Sequence, residues 1–598
     1  MQYYSRSGAN VQQIASRGEN IGRQAIRQIV GASVGVFVFG VVLATQAIGQ
    51  ALPPPGSPIQ RIAPPTGPKV APGLVRPQAE QLQNLAPGTP RKVTAVAVEG
   101  STILTADETA TIAAGLVGPS VPTSAIEEAR LTLLRRYRDA SYPLVTVSAT
   151  LTAAGRLRYA VTEGRIAEVQ LDGDIGPAGT TVLSFLQNLV QPGPVNTSAL
   201  ERWLLLAQDV PGVSVQTILR PSETEPGALT MVAKVSRNPI SGMLAVDNRA
   251  YRFTGPVEML AVASFNSFTS LGERTDLSIF KSPLNPTQIF GQAAYETFIG
   301  TSGLKVRIYG GMGNSRPSGT LGTVGFNGQT QIAGTQVSYP VLYSRQQKLN
   351  ILGMFDLINS STYLSASGSA PNSKDFLRVF RVGGDYALLD NYLGETRSAV
   401  NQANIRVSHG IQGLGSSHTG STSLGRQGSA LDFTKINVEL SRTQTLFSPW
   451  ADASVSLLTL VTGQGSRNVL PSAEAFYLGG MRFTRGFYSG EVTGDNALAA
   501  SAELQLNTTV QTSITGSPRE IGVQYYGFYD WGQTWQNRAL DTNQRLRSFG
   551  LGIRAALSPS LQLDVEGVYR LTRQPTGSAS TVRPLGGQAV YWRLVARY

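Results

Sequence analysis

Cysteine is absent from the 598-residue chain and histidine occurs only twice. The first absence excludes a disulfide framework and fits an envelope protein that avoids stray disulfides, although a cysteine-free soluble protein shares it. There is no His-Glu-x-x-His pair, no Gly-x-Ser-x-Gly elbow and no Walker lysine motif. Zinc-protease, serine-hydrolase and P-loop chemistry therefore have no foothold, no metal or cofactor is expected, and the chain does not read as an enzyme. His409 and His418 fall in a Gly/Ser-rich stretch read as a loop, and Gly310-Gly311-Met312-Gly313 reads as a turn in preference to a phosphate cradle. Charged residues are few, at 15%, and the net charge of +12 is spread without any Lys/Arg run. Nucleic acid is not an expected partner; anionic lipopolysaccharide, or a cavity lined with arginine, would suit the charge.

Long apolar runs are nearly absent as well. Residues 29–43 form one of about 15 residues, short of the roughly 20 that span a bilayer. It follows Arg6, Arg17, Arg23 and Arg27 and precedes Gly49-Gln50-Ala51, so residues 1–51 are expected to be a signal peptide cleaved before Leu52, in preference to a membrane anchor. Residues 52–90, with Pro53, Pro54, Pro55, Pro64, Pro65 and Pro72, cannot build a core and are expected to be an extended linker. Only 78–85 could form a short helical piece.

What the second half has in abundance is alternation. Trp592, Leu594, Ala596 and Tyr598 lie on one face of residues 591–598, and Tyr591, Arg593, Val595 and Arg597 on the other. Leu498, Ala500, Ala502, Leu504 and Leu506 likewise oppose Ser501, Glu503, Gln505 and Asn507; Ile436, Val438 and Leu440 oppose Lys435, Asn437 and Glu439. One such octet would suit any half-buried strand. Its repetition between Gly, Ser, Asn and Thr clusters points to antiparallel strands with lipid on one side and a wet lumen on the other. No convincing long helix follows Ser236. Residues 237–598, at roughly 22 per strand and connection, give a barrel of about 16 strands; fourteen or eighteen also satisfy the period. By the same alternation, Val523, Tyr525, Tyr529 and Trp531 point outward, leaving Phe528 and Asp530 toward the lumen.

Between linker and barrel one module is used twice. Val96-Ala97-Val98-Glu99-Gly100 recurs as Val169-Gln170-Leu171-Asp172-Gly173, and Thr123-Ser124-Ala125-Ile126-Glu127 as Thr197-Ser198-Ala199-Leu200-Glu201, at offsets of 73 and 74 (96 to 169, 123 to 197). Ser124 with Glu127 and Ser198 with Glu201 have capping-box spacing. Ile126, Ala129, Leu133, Leu134 and Tyr137, then Leu200, Trp203, Leu204 and Ala207, form helical stripes that read as core. Each copy is expected to be a small α+β module, 91–164 and 165–236, with an opening strand, a helical pair and two closing strands. An exposed edge strand could accept an extended peptide by β-augmentation.

Signal, Pro-rich linker, two α+β modules and a barrel resemble the two-partner secretion outer-membrane translocators, the TpsB family (FhaC/ShlB/HecB type, haemolysin secretion/activation proteins), whose modules are called POTRA domains. Two motifs carry the likeness further. Arg485-Gly486-Phe487 matches the family's Arg-Gly-Tyr/Phe tip of an inward-folded loop, and Phe528-Tyr529-Asp530-Trp531-Gly532 its Phe-x-Asp-x-Gly strand motif. The resemblance implies a mostly β, transmembrane antiparallel barrel in the bacterial outer membrane, with its modules in the periplasm. Arg485 is expected to enter the lumen and meet Asp530, with Glu503 as second acceptor; Phe528 and Gly532 flank the site, and Trp592 and Tyr598 mark the terminal aromatic strand. Thr484 stands where the family usually has Val or Ile, so packing at the loop tip is expected to differ. The family's pore-plugging helix has only 78–85 to be made from and is not expected. The implied partners are an unfolded, TpsA-like exoprotein, outer-membrane lipid and lipopolysaccharide, and the barrel assembly machinery. The implied function is ATP-independent translocation of that exoprotein; the alternatives are a general outer-membrane assembly factor of the same superfamily and a passive porin.

Overall fold

The computed structural model describes residues 90–598 apart from 223–224, 284–287, 366–367, 513–518 and 575–583. The expected signal peptide, the linker up to residue 89 and the helical piece at 78–85 lie outside the described residues.

Sixteen antiparallel strands, from Ile240–Asp247 to Gln588–Arg597, follow one another round a closed barrel. The seam pairs Arg593 with Asp247 through Arg597 with Met243, and beyond it Gly242 and Tyr598 exchange backbone hydrogen bonds of 2.9 and 3.0 Å. Closure leaves no unpaired strand edge, which is what hydrocarbon demands of a spanning sheet. Along the strand Arg519–Trp535, Tyr525 and Tyr529 are exposed while Tyr526, Phe528 and Asp530 are buried, so the period of two separates a lipid-facing set from a lumen-facing set that holds Asp530 and two further rings. Among the described residues no helix is long and apolar enough to cross a membrane.

Two sequence readings need correction here. His409 belongs to the strand Ala399–Gly410, not to a loop, and its Nδ1 lies 2.9 Å from Thr434 Oγ1; the Gly/Ser-rich stretch begins just after it. Gly310 to Gly313 are no turn but part of the strand Leu304–Ser315. Their bareness has a steric reason: a Cβ on Gly311 would stand 3.0 Å from the Phe290 ring, and one on Gly313 would stand 2.3 Å from the Ile289 carbonyl. The glycines make room for a neighbouring aromatic, a use of glycine inside strands that composition alone does not separate from a turn.

Two α+β units precede the barrel. The first runs through the strand Ala95–Glu99, helices Ala106–Ala113 and Thr123–Asp139, and strands Val145–Leu151 and Arg156–Glu163. The second runs through Arg165–Asp172, Ala178–Gln187, Thr197–Gln208, Val213–Pro221 and Ala228–Arg237 in the same order. In both, the opening strand lies parallel to the last strand, which sits mid-sheet. The glycine that ends each repeated pentapeptide is forced. Gly100 and Gly173 have φ of +80° and +111°, and a Cβ there would lie 2.3 Å from the Val161 carbonyl oxygen and 2.7 Å from that of Val235, equivalent points of the two sheets.

The expected capping boxes are not where the spacing put them. The helices start two residues earlier than serine N-caps would place them, at Thr123 and Thr197, so Ser124 and Ser198 already lie in the first turn. Pro122 precedes the first without a side-chain cap, and Asn196 caps the second by accepting from the Ala199 N–H at 2.7 Å. A reciprocal box does form at Thr105 and Glu108 on the shorter helix.

The second unit is fastened to the turns at the mouth of the barrel. Its helix Thr197–Gln208 buries Leu205 and Leu206 in addition to Leu200 and Leu204, because it packs on two sides, with Phe298 and Tyr343 of the barrel in the same apolar cluster. Arg202 donates to the carbonyls of Pro340 (2.9 Å) and Ser302 (3.0 Å) and to the Tyr339 hydroxyl (3.1 Å). Phe185 meets Phe298 edge-on at 5.0 Å, and Thr181 Oγ1 donates to the Ser270 carbonyl at 2.7 Å. Arg202→Ala is expected to remove about 1 to 3 kcal/mol of docking, because the part-buried Pro340 carbonyl and the Tyr339 hydroxyl lose a charged donor. Limited proteolysis of purified protein should then cut between residues 237 and 240 faster than in the wild type, with the barrel itself still resistant.

Candidate functional site

The strands Ser454–Ser466 and Asn496–Thr512 are joined by residues 467–495, and this connection turns back into the barrel. Leu470, Glu474, Leu478, Thr484 and Phe487 are all fully buried within it. A small hairpin, Phe476–Leu478 against Val492–Gly494, stiffens the loop and carries residues 479–491 as its tip.

At that tip the structure brings Arg485 together with both carboxylates named from sequence. Arg485 Nε and Nη2 donate to Asp530 Oδ2 and Oδ1 at 3.0 and 2.9 Å, and its backbone N–H reaches Oδ2 at 2.7 Å. Nη1 donates to Glu503 Oε2, and Nη2 to Ser501 Oγ at 3.0 Å. The guanidinium plane lies 3.8 Å from the centre of the Phe528 ring. Planar fork, paired carboxylate and aromatic face are what arginine uses and lysine cannot. Glu503 is shared: Arg554 also donates to its two oxygens at 2.7 and 3.1 Å, and Arg554 in turn lies 3.8 Å from the Tyr526 ring.

Each remaining motif residue has a separate steric duty. Gly486 donates its N–H to Ser548 Oγ at 3.2 Å and its carbonyl accepts from Arg570 Nε and from the Tyr591 hydroxyl. A Cβ there would stand 2.5 Å from Ser548 Cβ. Phe487 fills an apolar pocket with Leu478, Val492, Ala499 and Leu546. Gly532 is bare because a Cβ would press on Leu478 Cδ1 at 2.9 Å and Thr484 Cγ2 at 3.0 Å. Thr484, the departure from the family pattern, has φ of +54°, a costly conformation for a β-branched residue. Its hydroxyl compensates locally by accepting from the Gly479 N–H at 2.9 Å, which Val or Ile could not do.

Trp592 and Tyr598 lie away from this site. Trp592 points outward on the closing strand, and Tyr598 is 87% exposed at its end.

Other ties of the loop were not singled out from sequence. Asp495, at its root, receives both terminal nitrogens of Arg426 at 2.5 and 2.9 Å, and Arg482 pairs with Glu439. Glu439 was legible as lumen-facing by alternation, but its partner depends on the path of the loop, which has no period to read.

The family model described as "Haemolysin secretion/activation protein ShlB/FhaC/HecB" matches residues 229–555. The outer membrane transporter CdiB of Escherichia coli is 25% identical over 203 residues, which span 31% of this chain and 33% of that relative. The match thus spans about a third of the curated relative. Among solved structures, CdiB from Escherichia coli superposes with a TM-score of 0.64 at 19% identity, over 88% of this chain and 94% of that one. CdiB from Acinetobacter baumannii gives 0.57 at 15% identity, with 100% of each chain covered. BamA from Haemophilus ducreyi lacking POTRA domains 1–3 gives 0.51 at 12% identity, over 86% of this chain and 100% of that one. At such identities the structural likeness is one of fold.

Proposed function

Because the chain belongs to the ShlB/FhaC/HecB family of haemolysin secretion/activation proteins, we propose that it is an outer-membrane transporter that captures an unfolded exoprotein in the periplasm and passes it through the barrel lumen to the cell surface. The observation that carries this reading is the loop 467–495 standing inside the closed barrel with its tip on Asp530 and Glu503. A passive porin has no use for a lumen obstructed by a charge-locked loop, nor for two periplasmic modules. A translocator needs both, a shut resting pore and a place to gather its client.

The modules act as the receiving surface, through a sheet edge that can pair with an extended peptide. In the first module the strands Ala95–Glu99 and Val145–Leu151 form the two sheet edges. No nucleotide drives the step; folding of the client outside the cell, which releases several kcal/mol, disfavours its return. Assembly by the barrel assembly machinery, with the aromatic-ended last strand as a recognition handle, and contact with lipopolysaccharide belong to the same reading.

Deleting the gene should remove one exoprotein from the medium and leave it degraded in the periplasm, with export restored by the wild-type gene in trans. An unchanged set of secreted and surface proteins in the deletion strain would defeat the proposal.

A further inference from the structure

The tip is not the loop's sole contact with buried opposite charge. On the limb that enters from the strand Ser454–Ser466, the turn Ser472–Glu474 places Glu474 at zero exposure. Its carboxylate takes a two-pronged contact from Arg381, Nη2 to Oε1 at 2.7 Å and Nη1 to Oε2 at 3.1 Å, and a third from Lys435 Nζ at 2.8 Å. Lys435 also donates to the Glu474 backbone carbonyl at 2.7 Å. Behind Arg381, Asp356 accepts from Nε at 2.7 Å and Ser408 Oγ from Nη1 at 3.0 Å. Two cations and two carboxylates therefore balance in a site closed to solvent.

This cluster is not needed to close the barrel. Strand pairing is a matter of backbone hydrogen bonds, and burying Arg381 and Lys435 is costly unless something pairs them. Apart from Asp356, the negative charge that pairs them comes from the loop; the wall adds the neutral acceptors Ser408 and Gln464. Arg381 and Lys435 belong to the strands Ser373–Asp390 and Thr434–Phe447, whereas the carboxylates that hold Arg485 belong to Asn496–Thr512 and Arg519–Trp535. The loop is thus fastened to two different stretches of wall.

We propose that Glu474 is a second main holdfast of the inward loop, beside the ties of Arg482 and Asp495, a positioning residue that keeps the loop in the lumen when the Arg485 contacts open, so that the pore is not freed while Glu474 still holds. The inference rests on the translocator reading and adds a two-key release to it. Loss of either key alone leaves the loop tethered at the other, which makes the two sites act non-additively.

The test compares Glu474→Gln, Arg485→Ala and the double variant of the full-length protein in cells, reading sensitivity to vancomycin and, after purification, conductance in planar bilayers. A heat-dependent gel shift reports an intact barrel, and Asp530→Asn replaces Arg485→Ala if that variant lacks the shift. Each single variant should stay within about twofold of wild type, and the double should rise about tenfold or more above either. The proposal is overturned if the tip variant alone leaks as much as the double, or if the double stays as tight as wild type. Permeability is read without any client, so a chain that exports nothing yet leaks only as the double variant would sink the translocator reading and leave the second holdfast standing.

Discussion

Replacing Arg485 by alanine is expected to cut export of the client by about 10 to 100-fold while leaving the heat-modifiable barrel in place. The argument is one of orphaned charge. Asp530 is fully buried and takes three of its hydrogen bonds from Arg485; without them it keeps the Ser501 hydroxyl at 2.7 Å. Removing one partner of a buried pair costs about 3 to 5 kcal/mol, most of it the burden of the charge left behind. The loop can escape that burden by moving, and the strands cannot, so the damage falls on the loop. Glu503 suffers less because Arg554 still holds it. Asp530→Ala should be milder for the same reason, since Arg485 would retain Glu503 and Ser501. Export of a reporter client, with outer-membrane levels of the barrel measured alongside, checks the order. Equal export from all three proteins would remove the pair from the mechanism.

The second large effect is steric and has a built-in suppressor. Gly486→Ala places a methyl carbon 2.5 Å from Ser548 Cβ and 2.8 Å from Ser548 Oγ, with the next neighbour, Arg570 Cγ, at 3.7 Å. Ser548 sits on the strand Gln544–Ser558 and is registered opposite Asp530, so it cannot give way without dragging the ladder. The tip must lift instead, and export should fall as far as in Arg485→Ala. Ser548→Gly removes both clashing atoms at the cost of one hydrogen bond of about 1 kcal/mol. The double variant Gly486→Ala with Ser548→Gly should therefore recover most of the lost export, although Ser548→Gly alone brings no gain. Absence of suppression would mean that the tip does not need to seat against this strand.

Much of the architecture was legible because lipid and lumen impose opposite polarities on neighbouring residues, and a period of two survives in any strand long enough to cross. The lumen face of 498–507 and of 525–531 came directly from that period. The element order of the α+β units was legible for a different reason, a near-constant offset between repeated segments. Where the sequence misled, the cause was local. Ser124 and Ser198 had the right spacing for a box, but Pro122 and Asn196 fix the starts of those helices. The glycines at 310–313 signal a close aromatic as readily as a turn. Leu204-Leu205-Leu206-Ala207 did contain the mark of a helix buried on two sides, yet nothing in it said that the second side faces the barrel.

In the candidate site, the residues of the two motifs were readable and their meeting is geometric fact; the ties of Glu474, Arg482 and Asp495 were not. Loop partners are set by three-dimensional path, and a Lys435 that reads as one more lumen-facing polar residue becomes the mate of a specific carboxylate only when the loop has descended beside it.

The central claim, that a client travels through the lumen, is tested most directly by site-specific photocrosslinking during export. A photoreactive residue at Gln505, which faces the lumen and is buried, should trap the exoprotein, and one at Tyr529, exposed on the lipid face of a neighbouring strand, should not. Adducts from Tyr529 as abundant as those from Gln505, or none from Gln505 while export proceeds, would contradict the account.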